Sequence, residues 1–320
     1  MNRRFALIQA LISLVALAAV IWWASKQNAP ELPSSAGALA WLVGAAVLYS
    51  IATLLRGERW HRILHVIGVD VSRSDAYGLT TVGYMGNNVL PARAGEMLRV
   101  VLLSRRNDAG KRALLGTVVA ERLLDAFALA AILVLVVYGA LRNATLPSDR
   151  PLVVGGIALV VLVLALAALE LLRRRGAMAR VRDFVRPLTG APRALLSRKG
   201  LLLLLGSFLI WSVEASVYLS IARATDLHDL SGMGALYIVA LTNLFAMLPA
   251  APGYVGTFDA AVLFGVKAVG GAGSTAVSYL LLLRFVLFVP ITVVGLVVLV
   301  VRYGGWSRLR AATRLQASRA

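Results

Sequence analysis

Long apolar runs alternate with short polar breaks along this chain, and the runs are of two kinds. Six are continuous and close to the ~20 residues that cross the ~30 Å hydrocarbon core of a bilayer. They are Phe5–Ala24, Gly37–Leu55, Ala113–Leu141, Leu152–Leu172, Gly200–Ala222 and Ser274–Val301, and each predicts a full span. Two further stretches, "SDAYGLTTVGYMGNNVLPARAGEMLRVVLL" and "MGALYIVALTNLFAMLPAAPGYVGTFDAAVLFGVKAV", are only moderately apolar and carry a Leu-Pro in the middle. Proline removes a backbone donor and stops a helix, so each stretch predicts two half-helices too short to cross alone. The expected fold is an all-α polytopic membrane protein with about six full spans plus two re-entrant helical hairpins. The alternative is one long irregular span at each Leu-Pro, because transmembrane helices tolerate Pro and Gly.

The basic residues orient these elements, since cytoplasmic loops collect Lys and Arg. With the N-terminus inside, the segments assigned to the cytoplasm (the N-terminus, 56–74, 105–112, 173–199 and the tail from Arg302) hold 24 Lys and Arg, and those assigned outside hold five. The first hairpin then enters from and returns to the cytoplasm, and the second does the same from outside. The order span, hairpin, span therefore occurs twice in opposite orientation, about 37–141 and about 200–301, within one transmembrane domain over 1–320. That is the pattern of an inverted-repeat transporter, whose broken helices meet near the midplane. A basic cytoplasmic loop, 173–199, and a basic C-terminal tail, 302–320, complete the expected layout. Both could hold anionic lipid at the cytoplasmic surface, although topological anchoring alone accounts for them.

Composition sharpens this reading. The 320 residues are 59% hydrophobic with a mean hydropathy of +0.80, and no stretch outside the apolar runs is fit to bury a core of its own. The start, "MNRRFALIQALISLVALAAVIWWASK", reads as an uncleaved first span: its apolar run is long, ends in Trp22 and Trp23, and has no clear cleavage site. The absence of cysteine excludes disulfides, thiolate nucleophiles and Cys-ligated metals. The formal charge of +18 raises the question of nucleic acid, but topology already requires the excess, so no nucleic-acid partner is expected. His61 and His65 stand at i, i+4 without an obvious third ligand, which favours a cytoplasmic amphipathic helix over a metal site. No metal or other cofactor is expected.

Nine ionisable residues fall inside predicted membrane segments: Arg93, Glu96, Arg99, Glu121, Arg122, Asp125, Glu214, Asp259 and Arg284. At ~3 kcal/mol each for a lipid-facing position, the set would cost about 25 kcal/mol, more than a fold's net stability. They must face one another or water. One reading is a set of ion pairs that hold the bundle together; the other, favoured because several lie at helix breaks, is a functional site. In "NNVLPARAGE" the second half-helix begins near Ala94 or Gly95, so its unpaired N–H groups and positive dipole end lie beside Arg93. Arg93 offers a forked donor for phosphate, Asn87 and Asn88 can bind its ester or hydroxyl oxygens, and Glu96 can pair with Arg93 or Arg99. "ERLLD" puts Glu121 and Asp125 on one helical face with Arg122 in reach of Asp125. Gly253 and Gly256 let the second break approach a ligand, with Asp259 nearby and Glu214 and Arg284 on the flanking spans.

The blocks "NNVLPARAGEMLR", "ERLLD" and "LPAAPGYVGTFD", in that order, resemble the lysylphosphatidylglycerol synthase transmembrane (flippase-like) family over nearly the whole chain. The most specific element, N-x-L-P-x-R-x-G-E, falls on Asn88, Leu90, Pro91, Arg93, Gly95 and Glu96. The family usually has Glu where this chain has Asp259, and the soluble aminoacyl-transferase half is not in this sequence. The resemblance implies a non-enzymatic lipid flippase in the prokaryotic cell (inner) membrane, multi-pass, with both termini cytoplasmic. Its partner would be an anionic, phosphate-bearing lipid such as a phospholipid or a polyprenyl-phosphate-linked lipid. Substrate contacts are expected from Asn87, Asn88, Arg93, Glu96, Arg99, Arg122, Gly253, Gly256 and Arg284, and ion coupling from Glu121, Asp125, Glu214 or Asp259. With no Walker motif, ATP would not drive the movement. Two rival classes are a membrane-embedded enzyme acting on a lipid phosphate and a non-transporting accessory protein. Neither a His–acid phosphatase pattern nor an Asp-rich metal motif is present, and an accessory protein would not require nine buried charges.

Overall fold

A computed structural model describes Trp22, Ser25, Lys26 and residues 33–90, 93–107, 109–143, 198–225, 227–246, 252–271 and 273–304. The expected spans Phe5–Ala24 (Trp22 apart) and Leu152–Leu172, the loop 173–199 except its last two residues, and the tail beyond 304 lie outside the described residues. The described residues form eight α-helices and no strand: α1 Ala36–Val66, α2 Arg73–Val89, α3 Ala94–Leu103, α4 Lys111–Asn143, α5 Arg198–Ala224, α6 Gly232–Ala246, α7 Thr257–Ala268 and α8 Gly273–Tyr303. Three of them, α1, α5 and α8, are long and apolar enough to cross a membrane by length and composition.

The first Leu-Pro stretch breaks where proline chemistry predicts. Leu90, which precedes Pro91, is extended at ψ 146°, because proline clashes with a helical residue before it. Arg93 then turns through the left-handed region (φ 55°) and α3 starts with no side-chain cap. In the second stretch α6 stops at Ala246, a 3₁₀ turn occupies Pro252–Tyr254, and α7 starts after Gly256 (φ 87°). The four half-helices have 17, 10, 15 and 12 residues. At 1.5 Å per residue none reaches ~30 Å.

Both pairs pack as antiparallel hairpins. Gly83 and Gly86 of α2 lie against Arg99 and Gly95 of α3, while Gly234 and Ile238 of α6 lie against Val269, just past the end of α7, and Gly265 within it. Around them the helices pair in two matching sets. The helix α2 packs on α1, α3 and α8, and α6 packs on α5, α7 and α4, with α1 and α5 packed together between the halves. Exchanging α1–α4 for α5–α8 maps this set of packed pairs onto itself.

The surface and the interior divide as a bilayer demands. Leu39, Trp41, Val43, Val47 and Leu54 of α1, Phe127, Val134 and Leu135 of α4, and Phe285, Val293, Val297 and Val301 of α8 are exposed. So continuous an apolar surface on long helices is what lipid contact stabilises and water does not. One expectation is corrected here. The segment 56–74 is expected on the cytoplasmic side with "RGERWHRILH" as an amphipathic helix; α1 does continue through Val66, but Arg56, Arg59, Trp60 and His61 are buried against other helices instead of lying on a solvated face. The apolar run ends at Leu55, yet nothing in "RGERWHRILHV" breaks a helix, and the long apolar stems of arginine pack well enough for burial.

Candidate functional site

The two hairpin tips meet. Gly253 lies close to the backbone carbonyl of Asn88 and takes a left-handed backbone (φ 64°) that glycine adopts at no steric cost. Arg93 donates from Nε to the Tyr254 hydroxyl at 3.3 Å and sits 5.5 Å above its ring. Both residues have positive φ without being glycine, 55° and 54°. Such strained backbone persists only when the surroundings hold it, and it tends to mark functional sites. Asn88 bridges to α8, donating to Thr292 Oγ1 at 2.9 Å and to the Phe288 carbonyl at 3.4 Å. On the second tip Asp259 accepts the Gly256 N–H at 2.8 Å and is gripped by Arg284, which also donates to the Gly253 carbonyl at 3.3 Å.

Behind the tips runs a continuous set of ion pairs. Glu96 lies 3.7 Å from Arg93 and 3.5 Å from Arg122, and Arg122 reaches Asp125 at 3.5 Å. Asp125 accepts from Arg59 at 2.7 Å, and Arg59 also approaches Glu121 at 3.8 Å. Glu121 in turn accepts from Arg99, whose guanidinium lies 4.6 Å above the Trp60 ring. On the far side Arg56 pairs with Glu214, which also accepts from Asn243 at 3.3 Å. Arg56, Arg59, Arg99, Glu121, Asp125, Glu214 and Asp259 are all buried. Arg93, Arg122 and Arg284 keep 22%, 26% and 23% of their side-chain surface exposed, so the network opens at the tips.

All thirteen predicted site residues thus fall in this one region. Several meet unexpected partners: Arg99 pairs with Glu121 and not with Glu96, Asn88 is committed to α8, and Asn87 is buried with its Oδ1 unpartnered among the described residues. Sequence reasoning missed Arg56, Arg59, Tyr84, Asn243 and Tyr254. Arg56 and Arg59 stand three apart on one helical face just past an apolar run, which is the one signal that could have found them. Tyr84 carries none, although Arg56 lies 5.6 Å from its ring centre.

Comparison with known proteins agrees with the hydropathy pattern. The chain belongs to the family described as "Lysylphosphatidylglycerol synthase TM region", which matches residues 7–295. It is 26% identical over 315 residues to a UPF0104 membrane protein of Methanothermobacter thermautotrophicus, covering 89% of this chain and 92% of that one. A UPF0104 membrane protein of Pyrococcus horikoshii is 25% identical over 167 residues, 51% of this chain and 48% of the other. Glycosyltransferase AglD of Haloferax volcanii is 24% identical over 265 residues, 69% of this chain but only 42% of that protein. No solved structure matches. The chain is therefore a helical membrane protein of this family.

Proposed function

We propose that this protein moves an anionic, phosphate-bearing lipid between the leaflets of the cell membrane and that the head group passes the meeting point of the two hairpin tips. The observation that carries the reading is the membrane-embedded network of six arginines and five carboxylates, open where Arg93, Arg122 and Arg284 are part-exposed. Guanidinium forks and the uncapped start of α3 are the groups that bind phosphate oxygens. The matched packing of the two halves supports an inverted repeat in which both hairpins re-enter from opposite sides. Withdrawing Arg56 and Arg59 from the cytoplasmic segments still leaves 22 Lys and Arg there against five outside, which favours cytoplasmic termini. Each of Glu121, Asp125, Glu214 and Asp259 is met by an arginine, so proton carriage by any of them requires its pair to open first.

Reconstitution in vesicles with leaflet-labelled lipids tests the reading. Wild type is expected to redistribute a phosphate lipid without changing it chemically. Arg93→Ala is expected to stop movement in a folded protein, and Arg93→Lys to restore it in part, since Lys keeps the charge and loses the fork. A new lipid species in the mass spectrum would establish the enzyme reading instead. The cysteine-free chain also permits a labelling test of topology: single cysteines at Arg73 and Asn107 should react only from the cytoplasm, and at Gly232 and Gly271 only from outside. Opposite-side labelling within either pair would sink the re-entrant arrangement.

A further inference from the structure

Matching each buried carboxylate to its nearest arginine leaves one cation over. Glu214 takes Arg56, Asp125 takes Arg59 at 2.7 Å, Glu121 takes Arg99, Asp259 takes Arg284, and Glu96 takes Arg122 at 3.5 Å. Arg93, at 3.7 Å from the already paired Glu96, is the surplus. That surplus is counted among the described residues; of the apolar runs outside them, 5–24 has no ionisable residue and 152–172 has only Glu170, which the sequence puts at the cytoplasmic end of its run. The surplus charge stands where both hairpin tips converge: Arg93 is the residue before α3, contacts Tyr254, and adds its charge to the positive end of α3. Within the buried network behind it, guanidinium nitrogens of Arg56, Arg59, Arg99 and Arg122 have no hydrogen-bond partner among the described residues. An uncompensated charge in a low-dielectric interior is costly, so the lowest-energy occupant is the one that cancels it.

We infer that the site selects a lipid head group carrying one negative charge, a phosphodiester, over phosphomonoesters and diphosphates with two or more and over zwitterions with none. The inference rests on the transport reading but specifies its substrate class. A dianion at Arg93 turns a surplus of one positive charge into a deficit of one, at the same kind of cost as leaving the site empty. Two sources share the favoured chemistry: a glycerophospholipid such as phosphatidylglycerol, and a polyprenyl phosphate joined to one sugar.

Binding separates this inference from transport. The full chain in non-ionic detergent would be titrated, with native mass spectrometry as readout, against phosphatidylglycerol, a polyprenyl-phosphate monosaccharide, phosphatidic acid at a pH where it is a dianion, a polyprenyl diphosphate and phosphatidylcholine. At least one of the two monoanions is expected to bind about tenfold or more tightly than every dianion and the zwitterion, and their relative affinity identifies the source. Glu96→Gln raises the surplus to two and is expected to shift preference towards the dianions, whereas Arg93→Gln removes it and should abolish discrimination by charge. The two changes act in opposite directions on partly exposed side chains, so a folding defect in one leaves the other informative. Equal or tighter binding of dianions by wild type, or a Glu96→Gln protein with unchanged selectivity, would overturn the inference even if vesicles show lipid movement. Correct selectivity without movement would uphold it and reject the flippase reading.

Discussion

The two halves of this protein share one packing diagram and divide the chemistry unequally. Among the described residues, the interior from α1 to α4 holds Arg56, Arg59, Arg93, Glu96, Arg99, Glu121, Arg122 and Asp125, and from α5 to α8 only Glu214, Asp259 and Arg284. The second half supplies most of the largest apolar core, in which Tyr218, Tyr237, Ile238, Val262 and Tyr279 are fully buried. The hairpins differ in the same sense. The first brings Gly95 so close to Gly83 and Gly86 that backbone meets backbone, whereas in the second a Cβ added at Gly265 would meet the Ile238 side chain at 3.1 Å. A repeated scaffold fixes where helices lie without fixing what they carry, so one copy can hold charge while the other provides a rigid apolar mate.

If the first half depends on charge compensation, breaking it there should cost most. Arg59→Ala leaves Asp125 without its closest cation and removes a neighbour of Glu121, and is expected to destabilise by about 3–5 kcal/mol. The matching change in the second half, Arg284→Ala, should cost less because that guanidinium is part-exposed and its partner Asp259 keeps the Gly256 N–H. Thermal unfolding of both variants in detergent measures the difference, and an equal or reversed order would break the contrast.

The hairpin comparison gives the next effect. A Cβ at Gly95 would run into the Gly83 carbonyl and the Gly86 backbone, neither of which can turn aside. Gly95→Ala is expected to cost about 3 kcal/mol, and Gly265→Ala under ~1 kcal/mol because Ile238 can shift by a few tenths of an ångström. The yield of folded monodisperse protein and its unfolding temperature would show the gap.

The smallest effect tests the tie between halves. Thr292→Val removes the hydroxyl that accepts from Asn88 and leaves the Phe288 carbonyl in place, so about 1 kcal/mol of stability should be lost. If Asn88 positions the first tip, the same change should also alter lipid movement in vesicles. An unchanged rate would assign Asn88 to packing alone.

The sequence by itself determined the local breaks and the lipid-facing surface. Pro91 ends α2 because it excludes helical backbone from Leu90, and apolar runs without turn residues become long helices, α8 even with Pro290 inside it. It also indicated that the nine embedded charges had to meet, since none could be left facing lipid. Only the tertiary structure decided which partner each charge took. Arg99 faces Glu121 across the packing of α3 on α4, and Glu214 lies 158 residues from Arg56 and reaches it because α1 packs along α5. Arg56 and Arg59 themselves were illegible as site residues, because hydropathy assigns a charged stretch to water, and only a neighbouring carboxylate in space makes its burial stable.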